Sequence, residues 1–373
     1  MKYVIEKENR PVYLQIYKQL RDDIIEGVFP YNSKLPSKRL LSNEIGVSTI
    51  TIEHAYALLC DEGYAVARER SGFFAIFRKT DGFASSKDSA QVSANASAGL
   101  QLHSSATVSA YPSFSASILS KVMRRVLTDY HDILLEKSPN AGCVELRDAI
   151  RQYLARNRGI HVDLDQIIIG SGAEYLYGLI VTLLGRDKVY ALETPSYEKV
   201  EQIYLAAGVR YELLPLSENG IDSDALAATT ADVLHTTPYR SFPSGITATA
   251  SKRHEYIRWS NKGAHFIIES DYGSEFSVSS QPMETLFSLS EHDNVIYLNT
   301  FSKTISPSMR VGYMVLPKQL VQHFQKKLGF YSCTVPSFEQ YVLTELINNG
   351  DFERHINRVR RNMRRELAFN SHS

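Results

Sequence analysis

The stretch "YLNTFSKTISPSMRVGYMVLP", residues 297–317, holds a single lysine, Lys303, among hydroxyl residues, with Arg310 seven positions on. An apolar run, "NVIYLN", leads into it and another leads out. The run places Lys303 just past the carboxyl end of a strand, the edge at which open α/β sheets bind ligands. A lysine partly desolvated there loses proton affinity and can attack a carbonyl to form an imine. Thr300, Ser302 and Arg310 supply the hydrogen bonds and positive charge that suit a phosphate beside it.

Working outward, "QIIIGSG", "KVYALETPS", "DVLHTTP" and "HFIIESDYG" are further short apolar runs, separated by helix-length segments. Alternation of this kind predicts a largely parallel α/β sheet. In "IIIGSGAEYLYGL" a strand runs through Gly170, Ser171 and Gly172 into a helix, whose first N–H groups form a second anion cradle. Glycine turns before helices are common, so this one is informative only beside Lys303. Residues 80–110, "TDGFASSKDSAQVSANASAGLQLHSSATVSA", are rich in serine and alanine without periodicity and read as a flexible linker. The chain therefore divides into a head (11–79), a linker (80–110) and a body (111–373).

In the head, "PVYLQIYKQLRDDIIEGVFP" spaces Leu14, Tyr17, Leu20, Ile24 and Ile25 as a helical stripe, ended by Gly27 and Pro30. In "LPSKRLLSNEIGVSTITIEHAYALLCDEGY", Ser37 caps a short helix, Gly46 makes the turn, and Ser48 caps a second helix to about Asp61. That is helix-turn-helix geometry, with the second helix as the reader. "YAVARERSGFFAIFRK" alternates around Ser71 and Gly72 as a two-stranded wing.

Bulk composition narrows the class. At 373 residues the chain exceeds one ordinary domain, and 43% hydrophobic with 22% charged residues describes a globular protein with a sizeable core. Formal net charge is zero, so any nucleic-acid surface is local. Cys60, Cys143 and Cys333 lie far apart, fit no metal spacing and read as free thiols. No apolar run spans a membrane and "MKYVIEKENR" lacks a signal-peptide core, which predicts a cytoplasmic protein without membrane partners.

The head resembles the GntR-type winged helix over residues 11 to about 79. The resemblance implies that Ser37, Lys38 and Arg39 face phosphates and the major groove of an operator duplex. It also implies that Ser48, Thr49 and Thr51 open the reading helix, and that the Gly72 hairpin enters the minor groove. Thr49 stands where the family usually has arginine and cannot make the bidentate guanine contact. The body resembles fold-type-I aminotransferases through "GCVELRDAIRQYLARNRGI", "IIIGSGAEYLYGLI", "ETPSY", "HTTPYRSFPSG", "FIIESDYGSEF" and "TFSKTISPSMRVGY", in that order. Head, linker and body together resemble the MocR regulators. This implies pyridoxal 5′-phosphate as cofactor, a homodimer, and a small amino compound as effector. It makes Lys303 the Schiff-base lysine and Arg310 the phosphate clamp, with Thr300 and Ser302 beside it. Gly172 and Ala173 offer main-chain N–H groups, Tyr197 stacks on the pyridine ring, and Tyr272 bonds its phenolic oxygen.

The body also departs from the pattern. "ESDYGSEF" stands where the family reads E-D-D-Y-D-S-E-F, which puts Ser270 in place of the aspartate that pairs with the ring nitrogen. Asp271, one residue on, stays among the candidate cofactor contacts although neighbours on a strand point to opposite faces. "LLEKSPNAG" lacks a tyrosine usual near Lys137. The chain stops in "RHINRVRRNMRRELAFNSHS", which reads as a solvated basic helix where the family leads into a small C-terminal domain with a carboxylate-binding arginine. Lys199 is a candidate replacement for that arginine. The reading is a regulator that senses an amino compound and transaminates poorly at best; the alternative is an active aminotransferase acting on an amino acid.

Overall fold

A computed structural model describes residues 3, 5, 11–68, 71–77, 114–277 and 284–370. The segment 80–110 read as a linker lies outside them. The head holds α1 (Val12–Glu26), α2 (Lys38–Ile45), α3 (Thr49–Asp61) and a hairpin of β1 (Ala65–Arg68) and β2 (Gly72–Ala75). Local chemistry sets these boundaries. Ser37 Oγ accepts the Leu40 N–H at 3.2 Å and Ser48 Oγ accepts the Thr51 N–H at 3.1 Å, satisfying donors that a helix start leaves open. Gly27 and Gly46 take left-handed conformations (φ 85° and 74°) that close α1 and α2. The buried stripe of α1 is Ile16, Tyr17, Leu20 and Ile24; Leu14 and Ile25, also expected in it, lie at its margins.

The body's helices are α4 (Ala116–Asp129), α5 (Val144–Arg158), α6 (Ala173–Leu184), α7 (Glu198–Ala207) and α8 (Ser223–Ala228). They continue with α9 (Ala250–Asn261), α10 (Leu286–Leu289), α11 (Lys318–Leu328), α12 (Ser337–Asn348) and α13 (Asp351–Asn370). Its strands are β3 (Ile167–Gly170), β4 (Val189–Thr194), β5 (Arg210–Ser217), β6 (Gly220–Ile221), β7 (Val233–Thr236), β8 (Phe266–Ser270), β9 (Val295–Thr300) and β10 (Gly312–Val315). They form one sheet in the order β3-β10-β9-β8-β7-β4-β5-β6. β10 runs antiparallel to β3 and β9, and β6 antiparallel to β5; the remaining pairs are parallel. The central strands are apolar on both faces, as a sheet covered by helices on both sides requires. Tyr297 packs with α5, α12 and α13, while its neighbours Ile296 and Leu298 pack with α6 and α11.

The closing helix differs from the sequence reading. Phe352, Ile356 and Val359 recur at helical spacing and are buried, and the half-buried Arg360 donates from Nε to the Glu275 carbonyl at 2.5 Å. The arginine run concealed this stripe; α13 is a packed helix with one charged face.

The head meets the body along α9. Fully buried Arg253 donates from Nη2 to the Glu62 carbonyl (2.8 Å) and carboxylate (3.3 Å). Tyr64 OH donates to Glu284 Oε2 at 2.7 Å and lies 3.0 Å from His254 Nε2, while Arg21 pairs with Glu284. Ala250 completes the head's own core. The body thus holds α3 at its carboxyl end. The exposed Ser48 and Thr49 sit at the other end, roughly 20 Å away along a helix of that length.

This joint has a pH signature. Burial holds the His254 imidazole down to about 4 from an ordinary 6.5, with Glu284 opposing and Arg253 adding to the shift. Above about pH 6.5 the imidazole is neutral whether folded or unfolded. Between there and about pH 4 the unfolded chain binds a proton that the folded one refuses. Stability should fall as pH drops through that window, by up to about 1.4 kcal/mol per pH unit for one proton. Urea unfolding at stepped pH should show His254→Gln losing that share of the slope; equal slopes would refute the assignment.

Candidate cofactor site at the carboxyl edge of the sheet

Lys303 lies in the turn that follows β9. Phe301 anchors that turn, packing on Tyr313 and Phe352 with its N–H donated to the Val311 carbonyl at 2.9 Å. Lys303 Nζ stands 4.6 Å over the centre of the Tyr272 ring. Gly273 takes a left-handed φ of 86°, and a Cβ there would displace the flexible end of the lysine. Burial lowers the proton affinity of Lys303, with Glu275 opposing and Arg240 adding to the effect. A larger share of its amine is therefore neutral and nucleophilic.

Beside the lysine, Gly312 of β10 packs between Thr300 and Gly172, bringing the strand end and the start of α6 together. Gly172 has φ 91°, and a Cβ on it would lie 3.0 Å from Arg310 Nη2. Its N–H already donates to the Gly170 carbonyl at 2.8 Å, contrary to the expectation that it serves a ligand. The N–H of Ala173, first residue of α6, is the donor that the helix start leaves open. Thr300 Oγ1 is buried without a hydrogen-bond partner, whereas Ser302 Oγ donates to the Met309 carbonyl at 3.2 Å. Arg310 and Lys199 both reach the Glu174 carboxylate, at 3.1 and 3.3 Å, in the first turn of α6. A phosphate taking Arg310 there would displace the Glu174 carboxylate, an exchange of one anion for another at a helix N-terminus.

Tyr197 follows β4 and Tyr272 follows β8, so both stand at the carboxyl edge and border the candidate slot above it. Tyr197 is 46% exposed and pairs T-shaped with Phe242, ring centres 6.2 Å apart, and Tyr272 is 49% exposed. Below them Ser270 Oγ lies 2.7 Å from Tyr177 OH and 2.8 Å from His235 Nε2, and His235 Nδ1 lies 3.0 Å from Tyr204 OH. Burial holds His235 neutral by lowering it to about 3. The sequence reading named none of Tyr177, Tyr204 and His235; a histidine within an apolar strand was the one available signal. Asp271 needs correcting as a candidate cofactor contact. Its carboxylate turns to the opposite face, where it pairs with buried Arg158 and accepts the Tyr297 hydroxyl at 2.6 Å.

The orphaned Thr300 hydroxyl, the glycine cradle under Arg310 and the desolvated lysine fit a phosphate-bearing aldehyde. The floor at Ser270 is uncharged. Among the described residues no cluster of metal-ligating side chains occurs, and no helix is long and apolar enough to cross a membrane.

On the head, Arg39, Ser37, Ser48 and Thr49 are exposed, and Gly72 sits in the β1–β2 hairpin with φ 106°. Lys38, expected on phosphate, pairs with Glu53 at 2.8 Å, and the Ser48 and Thr51 hydroxyls lie 2.8 Å apart.

Comparison with known families accounts for both halves. Residues 12–75 match the model of the bacterial regulatory proteins of the gntR family, and residues 107–371 match aminotransferase class I and II. The chain belongs to the GntR-headed, aminotransferase-like transcriptional regulators of the MocR type. It is 33% identical to the uncharacterized HTH-type transcriptional regulator YdeL of Bacillus subtilis over 96% of this chain and 78% of that one. It is 25% identical to the probable rhizopine catabolism regulatory protein MocR of Rhizobium meliloti, over 94% and 74%. Among solved structures, a kynurenine aminotransferase of Pyrococcus horikoshii, crystallised with PMP, matches with a TM-score of 0.61 and 24% identity, covering 68% of this chain and 66% of that one. That likeness establishes the fold of the body. As a regulator with a GntR head, the protein binds DNA.

The cradle makes opposite predictions for two glycines of one segment. Gly172→Ala forces a Cβ into strained backbone against Arg310 and should destabilise by about 1–3 kcal/mol while weakening phosphate binding. Gly178, inside α6 with open space around it, should accept alanine and gain about 0.5–1 kcal/mol. Urea unfolding of the two variants measures both signs.

Proposed function

We propose that this regulator binds its operator as a homodimer and carries pyridoxal 5′-phosphate at Lys303 to sense a small amino compound. The observation that carries the reading is a desolvated lysine at a sheet edge, next to a buried threonine hydroxyl with no partner. Thr300, Arg310 and the Ala173 N–H would hold the phosphate, Tyr197 and Tyr272 would flank the ring, and Lys303 would anchor the aldehyde. When bound, the cofactor supplies a carbonyl carbon that exchanges one amine for another.

Sensing is favoured over transamination by the floor of the slot. Ser270 and the neutral His235 put no carboxylate under the ring, so nothing there holds a proton on its nitrogen, and a neutral ring is a poor electron sink. Binding an amine needs only Lys303 and the cradle. Arg39, exposed at the start of α2, and Thr49, exposed at the start of α3, are the proposed phosphate and base contacts of the head.

Two measurements test this. With pyridoxal phosphate the chain should become yellow and retain the cofactor after borohydride, whereas Lys303→Ala should retain none; equal retention would sink the assignment. Binding to DNA upstream of its own gene should exceed binding to random DNA and weaken steeply with salt. Arg39→Ala should lower the slope of log affinity against log salt by about one, as expected for one lost phosphate contact.

A further inference from the structure

We infer that Arg240 holds the carboxylate of the amine ligand, so that the body selects amino acids over plain amines. This rests on the reading of Lys303 as the point of amine exchange, and it adds a second anchor to that site.

Arg240 follows β7, and Tyr272 and Lys303 follow β8 and β9, the next two strands in the sheet. All three therefore stand at the same carboxyl edge. The segment carrying Arg240 is fixed. Ser241 Oγ donates to Glu193 Oε1 at 2.5 Å, and Glu193 Oε2 accepts from Thr236 Oγ1 (2.8 Å) and the Thr237 N–H (3.1 Å). The Arg240 N–H donates to Thr247 Oγ1 at 3.1 Å, and the Ser241 N–H to the Ile246 carbonyl at 2.8 Å. Phe242 packs T-shaped with Tyr197, so this loop borders the slot.

Within that loop Arg240 has φ 47°, a left-handed conformation that costs a non-glycine residue energy. An ordinary turn would carry glycine or asparagine there. The guanidinium is exposed and, among the described residues, takes part in no hydrogen bond or ion pair. The other cations of this region are engaged: Arg310 and Lys199 by Glu174, Arg158 by Asp271, Arg360 by the Glu275 carbonyl. Arg240 is close enough for its charge to depress the proton affinity of Lys303. A carboxylate docked on it would relieve that repulsion. The planar fork of arginine grips a carboxylate with two parallel bonds, which a lone amine cannot exploit.

The test is calorimetric titration of the cofactor-free full chain with two stable conjugates, phosphopyridoxyl-L-alanine and phosphopyridoxyl-ethylamine, which differ by the carboxylate. Wild type should bind the alanine conjugate at least about tenfold more tightly, equivalent to about 1.4 kcal/mol. Arg240→Gln should bind both equally, with affinity for the ethylamine conjugate unchanged, and Arg240→Lys should recover part of the preference. Preference that survives Arg240→Gln, or its absence in wild type while both conjugates bind, overturns the inference and leaves the cofactor reading intact. Failure of both conjugates to bind wild type overturns the cofactor reading, and the Arg240 inference with it.

Discussion

A buried polar chain beneath the slot holds the edge of the sheet in place. Arg158 of α5 pairs with Asp271, which also accepts the Tyr297 hydroxyl; Asn299 donates to Glu275 Oε1 at 2.5 Å and to the Tyr297 oxygen at 3.2 Å. Asn299 Oδ1 in turn accepts the Thr300 N–H at 2.6 Å. These contacts fix where β8 and β9 leave the sheet, and so where Tyr272, Gly273 and Lys303 stand. Removing one member of such a buried pair strands a charge and typically costs about 3–5 kcal/mol, more than most single contacts supply. α13 closes the chain from outside through Arg360.

The opposite face of β8 has another character. Ser270 and Asp271 are adjacent, yet one joins Tyr177 and His235 and the other joins Arg158. The charge therefore lies on the side away from α6, and the floor of the slot is neutral. The cations gather above it, at the cradle and on the Arg240 loop. An arrangement of this kind favours capture of anionic groups over the withdrawal of electrons through a protonated ring.

The loop bearing Arg240 continues through the Thr249 cap directly into α9, whose Arg253 and His254 hold the head. Slot wall and the helix that holds the head are thus consecutive stretches of chain. Arg253 Nε and Nη1 are buried without hydrogen-bond partners, so the joint leaves two donors unsatisfied beside its ion pair with Glu62. Buried ion pairs of this sort contribute little net stability. What the joint does set is orientation, with the carboxyl end of α3 against the body and its reading end outward.

Features governed by neighbours in the chain were legible beforehand. Ser37, Ser48, Gly27 and Gly46 mark helix ends through bonds spanning three or four residues, and the apolar runs before Gly170 and Lys303 mark strands whose carboxyl edge gathers the site. The apolar stretch leading out of Lys303 became β10, but nothing local disclosed that it runs antiparallel between β3 and β9. Long-range pairing decided the rest. Ser270 meets Tyr177 from 93 residues away, and Arg253 meets Glu62 from 191. The stripe of α13 was hidden because charge, the commoner sign of exposure, outnumbered its apolar positions. Caps, turns and strand runs are energies of local backbone and so can be read from the sequence; which buried polar groups satisfy one another depends on the faces that packing brings together, and only the folded chain determines that.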